Sequence, residues 1–243
     1  MNASRRLSLV FHILPCFPLI FCGEASGHAQ QIPEVSTIIH GVDTSVNNRI
    51  ARLAGYTATE HYAVFRGHDG ARQVADMVVK TTYRRESGKS YTIVSQSGSS
   101  FWRNEVLNRL LDNEKRMSRP ANLATALINS TNYEIKLDRN PVQNVGGRQC
   151  ILLDIAPRRN SEYLFKGTLS VDAHDYSIVQ LKGTAGKSAF FLASAAGVTR
   201  QYVEINDLPM ATHAEAVSGG ALLGQTMVKI DYSNYQLDLT PGH

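Results

Sequence analysis

Reactive side chains are scarce in this chain of 243 residues. It has three cysteines, and Cys16 and Cys22 fall in an N-terminal stretch with the marks of a removable leader. Only Cys150 would remain, which excludes an internal disulfide and leaves stability to the apolar core. Cys150 stands in the strand-like run 148–155 and reads as a buried, inert thiol. Six histidines follow the leader: His40, His61, His68, His174, His213 and His243. No two have the i, i+4 or His-x-His spacing of metal ligands, so no metal and no other cofactor is expected. There is no G-x-S-x-G nucleophile elbow, and no catalytic residue is expected. Gly186-Lys187-Ser188 ends like a phosphate-binding loop, but Leu181 stands where the first glycine belongs, so a polar turn is expected. Asp172 and Asp175 have the look of a carboxylate pair, and turn chemistry accounts for them.

Dense charge of one sign is missing too. Loss of residues 1–29 would remove Arg5, Arg6 and Glu24, leaving 23 basic and 20 acidic residues out of 25 and 21. The basic groups at 80–89 and at Arg158-Arg159 lack the interleaved aromatics of a nucleic-acid surface, so no nucleic-acid partner is expected. Weak attraction to anionic lipid headgroups remains compatible with this balance.

No apolar run is long enough for a membrane helix. The longest, Leu7 to Phe21, has 15 residues and contains Pro15 and Pro18, against the roughly 20 that a span needs. Arg5-Arg6 before it and Gly27-His28-Ala29 after it make residues 1–29 a secretory signal peptide, cleaved before Gln30. Residues 30–243 are then one exported, periplasmic domain. Cys22 sits where a lipoprotein carries its acylated cysteine. Phe21 precedes it instead of a small residue, and anchoring there is not expected.

What the chain does have is amphipathic structure, with 43% hydrophobic residues, enough for a sizeable core. Val35, Ile38, Ile39, Val42, Val46, Ile50 and Leu53 step by three and four and predict a helix from Pro33 to Gly55. Gly41 near its middle predicts a bend or fray. Strands follow: one with Tyr62 and Val64 that ends at Gly67-His68-Asp69-Gly70, one from Val74 to Tyr83 with Met77 and Val79, and one from Tyr91 to Ser95. Ser99 or Ser100 can cap a second helix with Trp102, Val106, Leu107, Leu110 and Leu111 on one face, ending near Arg116 before Pro120. Ala121 to Ile128 reads as a further helical turn or two.

Strands then resume. Tyr133, Ile135 and Leu137 alternate, Cys150 to Ile155 is apolar on both faces, and Phe165, Leu169 and Val171 alternate along the clearest strand of the chain. Its turn is Asp172–Asp175, and its partner strand runs from Tyr176 to Leu181. Phe190 to Leu192 form an apolar patch. Strands from Val198 to Ile205, Met210 to Val217 and Met227 to Tyr235, the last carrying Val228 and Ile230, close the chain. About ten strands, two principal helices and no linker predict one curved sheet with helices on one face.

This order resembles the periplasmic lipoprotein-carrier family, the LolA-like proteins, in particular their outer-membrane lipoprotein-sorting branch. The resembling residues are Gly55-Tyr56-Thr57-Ala58, Met77-Val78-Val79, Asn132-Tyr133-Glu134-Ile135, Tyr163 through Gly167 and on to Val171-Asp172-Ala173, Asn206-Asp207-Leu208-Pro209, and Ile230 through Tyr235. The resemblance covers roughly residues 35–237 and differs from the best-studied carriers in length and in the helix after Ser100. It implies an α+β fold: a curved, incompletely closed antiparallel half-barrel whose concave face is covered by helices. It also implies a non-enzymatic carrier that binds acyl chains of lipids or lipoproteins in an apolar cavity. The alternative is a periplasmic sensor or interaction module of the same fold, contacting an envelope membrane protein.

Independently of family, the apolar faces of helices and strands converge on one interior. The candidate ligand-contacting residues are Tyr62, Val64, Met77 and Val79 on the early strands, and Trp102, Val106 and Leu110 on the second helix. On the later strands they are Tyr133, Ile135, Phe165, Leu169, Val171, Val228 and Ile230. Burying acyl chain there is worth about 0.8 kcal/mol per methylene. The competing possibility is that these faces pack on one another as a solid core, with Trp102 as its anchor.

Overall fold

The computed structural model describes residues 32–67, 72–161, 163–185, 197–220 and 224–240. Residues 1–29 with Cys22, expected to be a signal peptide, lie outside the described residues, as do the rest of the turn expected after Gly67, the turn expected at Gly186–Ser188 and the patch expected at Phe190–Leu192.

Helix α1 (Val35–Arg52) buries Ile38, Val42 and Val46, three residues of the stepped apolar set. The helix runs on without a fray through Gly41. A Cβ there would lie 2.2 Å from Cδ2 of Tyr176, so the missing side chain lets that ring lie against the helix. Tyr176 itself has φ 59° and belongs to a turn, not to the strand expected to begin with it.

Ten strands follow among the described residues: β1 (Leu53–Arg66), β2 (Arg72–Arg84), β3 (Gly88–Gly98), β4 (Tyr133–Val145), β5 (Arg148–Pro157), β6 (Phe165–Asp172), β7 (Ile178–Ala185), β8 (Gly197–Ile205), β9 (Leu208–Gly220) and β10 (Gly224–Leu239). They form a single sheet in the order β3-β2-β1-β10-β9-β8-β7-β6-β5-β4, antiparallel at every described pairing. The first strand pairs with the last, Tyr62 opposite Ile230 and Val64 opposite Val228. The two edges are therefore β3 and β4, and the sheet is not closed. The fold is α+β, as the sequence implied.

The sheet curves strongly. β3 and β7 stand six places apart in that order, roughly 29 Å on a flat sheet at about 4.8 Å per strand. Nevertheless Lys89 of β3 and Leu181 of β7 line one cavity. Register shifts help to make the bend: they occur at Thr57/Thr59, Val78/Val79, Leu137/Val142 and Gln201/Tyr202, and such bulges add local twist.

The chain passes from edge β3 to edge β4 through helices. α2 (Ser100–Trp102) runs into a π-helical stretch, Arg103–Asn108, and then α3 (Arg109–Met117). Ser99 occupies the N-cap position but makes no side-chain capping bond. Pro120 opens a separate helix, α4 (Pro120–Ala126), where its missing N–H costs nothing.

The β6–β7 hairpin departs from a simple wet-and-dry strand. Ser170 and Asp172, which alternate with Leu169 and Val171 and so fall on the opposite face from them, are buried too. On that side Cys150, Leu152 and Val179 form a small second core, and Arg148 Nε donates to Asp172 Oδ2 at 2.7 Å. Asp172 also accepts from the His174 amide and Asp175 from the Ser177 amide, each at 2.8 Å, which is the turn chemistry expected of both.

Candidate functional site

Between the helices and the inner face of the sheet lies a cavity of about 300 Å³. Its roof is Val46, Arg49 and Ile50 of α1, Leu110, Asn113, Glu114 and Met117 of α3, and Leu123 and Ala126 of α4 with Leu127 and Ile128 after it. Its floor is Phe165, Ile178, Leu181, Val198, Met210 and Ala214, with Tyr56, Tyr83, Tyr232 and Tyr235 toward the β1 side. Period-two alternation explains the floor: Leu181, Arg200 and Ala214 are in register across β7, β8 and β9, so all three point to the same face.

The fourteen residues singled out from sequence are distributed unevenly. Leu110 and Phe165 line the cavity. Tyr62, Val64, Met77, Val79, Val106, Val228 and Ile230 are packed with Leu107 and Leu111 in a solid cluster. Trp102 is half-buried against that cluster, and the Arg66 guanidinium lies 5.0 Å from its ring centre, a cation–π contact. Ile135, Leu169, Val171 and Tyr133 are buried on the strands toward the β4 edge. Tyr133 accepts a hydrogen bond from the Phe165 amide at 3.1 Å, and burial pushes its phenol up to about 12.

Sequence reasoning missed a set of charges on the cavity wall. Lys89 Nζ lies 2.5 Å from Glu114 Oε2 and 3.3 Å from Glu60 Oε1. Tyr91 donates its hydroxyl to Glu114 Oε2 at 3.1 Å, and Arg200 Nη2 stands 3.7 Å from Glu114 Oε1. Arg200 also donates to the Tyr232 hydroxyl at 3.3 Å, while Tyr62 donates to Glu60. Glu60 is 0% exposed. Burial works to lower the Lys89 pKa, but Glu114 and Glu60 outweigh it and hold the ammonium well above its ordinary value. Burial likewise pushes Glu114 up, and Lys89 and Arg200 override it and hold its carboxyl below the usual range. Tyr232, with Tyr202 and Glu114, outweighs burial at Arg200 and holds its guanidinium well above its ordinary value, so Lys89, Arg200 and Glu114 are all charged near neutrality.

Part of this wall could have been found by counting. Tyr56, Ala58, Glu60, Tyr62 and Val64 share one parity, and Glu60 is the polar member of an otherwise inward series. Glu114 follows Leu110 by four and so shares its helix face. Lys89 carried no such signal, because it stands within the basic group at 80–89 and has no neighbour in sequence that marks it as buried.

The roof is tied down at separate points. Gly88, at φ +85°, lets Ser118 approach closely, and Ser118 Oγ accepts from the Lys89 amide at 2.8 Å while donating to Lys115 O. Asp43 of α1 accepts from both the amide and the hydroxyl of Ser130. Asn132 Nδ2 donates to Ala124 O and Leu127 O, capping α4, and Arg49 Nε donates to Pro209 O at 3.0 Å. Among the described residues, no group of three or more His, Cys, Asp or Glu is placed to hold a metal ion. A hollow of about 410 Å³ on the other face of the sheet is walled by Arg148, Gln180, Gln201 and Glu204. Its arginine is already engaged by Asp172 and Glu204.

No protein-family model matches the chain, and no curated protein matches it. Solved structures of similar fold include a LolA superfamily protein from Nitrosomonas europaea, 10% identical, covering 85% of this chain and 94% of that one, with a TM-score of 0.47. A putative outer membrane lipoprotein-sorting protein domain from Vibrio parahaemolyticus is 10% identical over 83% of this chain and 92% of that one, TM-score 0.47. A DUF1329 family protein from Desulfovibrio piger is 13% identical over 83% and 93%, TM-score 0.42.

Proposed function

We propose that the protein is a periplasmic, non-enzymatic carrier that takes an acyl chain of a lipid or lipoprotein into the cavity beneath α1, α3 and α4. The cavity itself carries this reading. Leu110, Leu123, Phe165, Leu181, Val198 and Met210 give it apolar walls. Several of the ties between its roof and the sheet are polar contacts, Ser118 to the Lys89 amide and Arg49 to Pro209 O among them. Residues 1–29, read as a cleaved signal peptide, supply the export.

Magnitudes fit a carrier that must also release. Ten buried methylenes offer on the order of 8 kcal/mol at about 0.8 each. Association costs about 4–15 kcal/mol, so modest affinity is the expected outcome. At about 300 Å³ the cavity is at the small end of the roughly 300–1,000 Å³ typical of ligand sites. A single chain, not several, is therefore the expected load.

Native mass spectrometry of gently purified protein is expected to find an amphiphile of lipid mass on the chain. Ala126→Phe on α4 and Ala214→Phe on β9 each add a ring to the cavity. Each is expected to weaken binding of a fluorescent fatty acid by about tenfold or more. A protein that is free of lipid and binds no fluorescent fatty acid would sink the proposal.

A second reading, an interaction module for an envelope protein, is favoured by edge strand β3, whose tail leaves Ile93 and Val94 exposed with Phe101 close after it. Unpaired edges accept a partner's strand. Pull-down from envelope extracts that recovers one stable protein and no lipid would favour it over the carrier.

A further inference from the structure

Buried ion pairs are a poor way to hold a lid. Replacing such a pair with apolar side chains of similar size is often neutral or stabilising, and a leucine at position 114 would extend the apolar stripe of Leu107, Leu110 and Leu111. α3 instead brings a carboxylate to the wall of an apolar cavity, where Lys89, Tyr91 and Arg200 receive it. Lys89, Glu114 and Arg200 all line that cavity, so whatever occupies it meets these groups directly.

The charges balance only while Glu114 is present. Glu60 and Glu114 face Lys89 and Arg200, two of each sign. Glu60 is part of strand β1, is held by Tyr62 and Lys89, and stays with the sheet when the roof moves. Turning the Glu114 side chain out of the cavity removes one negative charge and leaves Glu60 alone against two cations. A low-dielectric site with an uncompensated positive charge favours an entering anion of single charge.

We infer that Lys89, Tyr91 and Arg200 form the seat for the head of the ligand, a long-chain carboxylate, and that Glu114 fills this seat as a stand-in while the cavity is closed. The inference rests on the carrier reading and names the ligand class. A fatty-acid carboxylate has the same two oxygens and the same charge as the group it displaces. Its tail runs from the seat into the space between Leu123, Phe165 and Leu181. A neutral head of the same chain length leaves the two cations with only Glu60.

Calorimetric binding of a long-chain fatty acid and of the alcohol of equal chain length, near neutral pH, tests this. The purified protein is expected to bind the acid about tenfold or more tighter than the alcohol. Arg200→Gln should bring the acid down toward the alcohol and leave the alcohol unmoved. Glu114→Gln should raise affinity for the acid several-fold, roughly 1 kcal/mol at RT of about 0.59, because the competing carboxylate is gone. Lys89 also holds Glu60, so Lys89→Gln is the less informative variant if folding suffers; Arg200→Gln and Glu114→Gln carry the result. Equal binding of acid and alcohol by the unmodified protein overturns the seat and leaves the carrier standing. Binding of neither overturns both.

Discussion

Glu114 is the residue on which the energetics of the closed cavity can be read. Its carboxyl is held low by Lys89 and Arg200 against the opposing effect of burial, with Glu60 and the Tyr91 hydroxyl close by. A lowered folded-state pKa contributes stability that is fully present above the unfolded value, about 4.3. That stability is lost as pH falls through the lowered one. Lys89 has the opposite sign: its raised value contributes below about 10.4 and is lost as pH climbs past it. Glu114→Gln removes the charge but keeps a hydrogen-bonding group. It is expected to cost on the order of 2 kcal/mol near neutrality, below the roughly 3–5 of an outright broken buried pair. Urea midpoints taken from about pH 6 down to about pH 3 should converge for the two proteins. A gap that persists unchanged at the acid end would show that Glu114 contributes through packing and not through charge.

At the scale of elements, much was legible because alternation and helical stepping are local. Tyr62 and Val64, Met77 and Val79, Leu169 and Val171 all reveal an inward face by parity alone. The failures came where distant parts of the chain met. Gly41 predicted a bend or fray, but the helix does not fray there, and its glycine is a landing place for Tyr176, which is far away in sequence. Tyr176 looked like the start of a strand and is a left-handed turn residue. Lys89 stood out only as one of the basic residues at 80–89, because nothing nearby in sequence announces Glu114 or Glu60. Of the cavity's lining, Leu110 and Phe165 were among the named candidates, whereas Arg200 and Leu181 depend on the register of β7, β8 and β9. The α1 contact gives its own test. Gly41→Ala gains about 1 kcal/mol of helix propensity but places a Cβ 2.2 Å from a ring carbon. Overpacking of that kind costs about 1–3 kcal/mol, so a net loss of stability is expected. In a Tyr176→Ala background the same change should stabilise instead. A cycle with no coupling between the two positions would contradict the close approach.

The whole molecule joins an unclosed sheet to a helical roof that starts at one edge and returns at the other. Since β1 pairs with β10, the middle of the sheet is sewn from both ends of the domain, while the edges β3 and β4 are bridged by the chain that carries α3 and α4. That arrangement puts the solid cluster under the π-helical stretch and the cavity under α1, the end of α3 and α4. The described domain therefore has a packed half and a hollow half, and Lys89, Glu114 and Arg200 line the hollow one. Crystallography with a long-chain fatty acid brominated at its terminal carbon tests the central claim most directly. The account predicts anomalous bromine density among Leu123, Phe165 and Leu181, with the carboxylate beside Lys89 and Arg200. Bromine bound only outside, against Phe101 or on the Arg148 face, with the cavity still closed over Glu114, would contradict it.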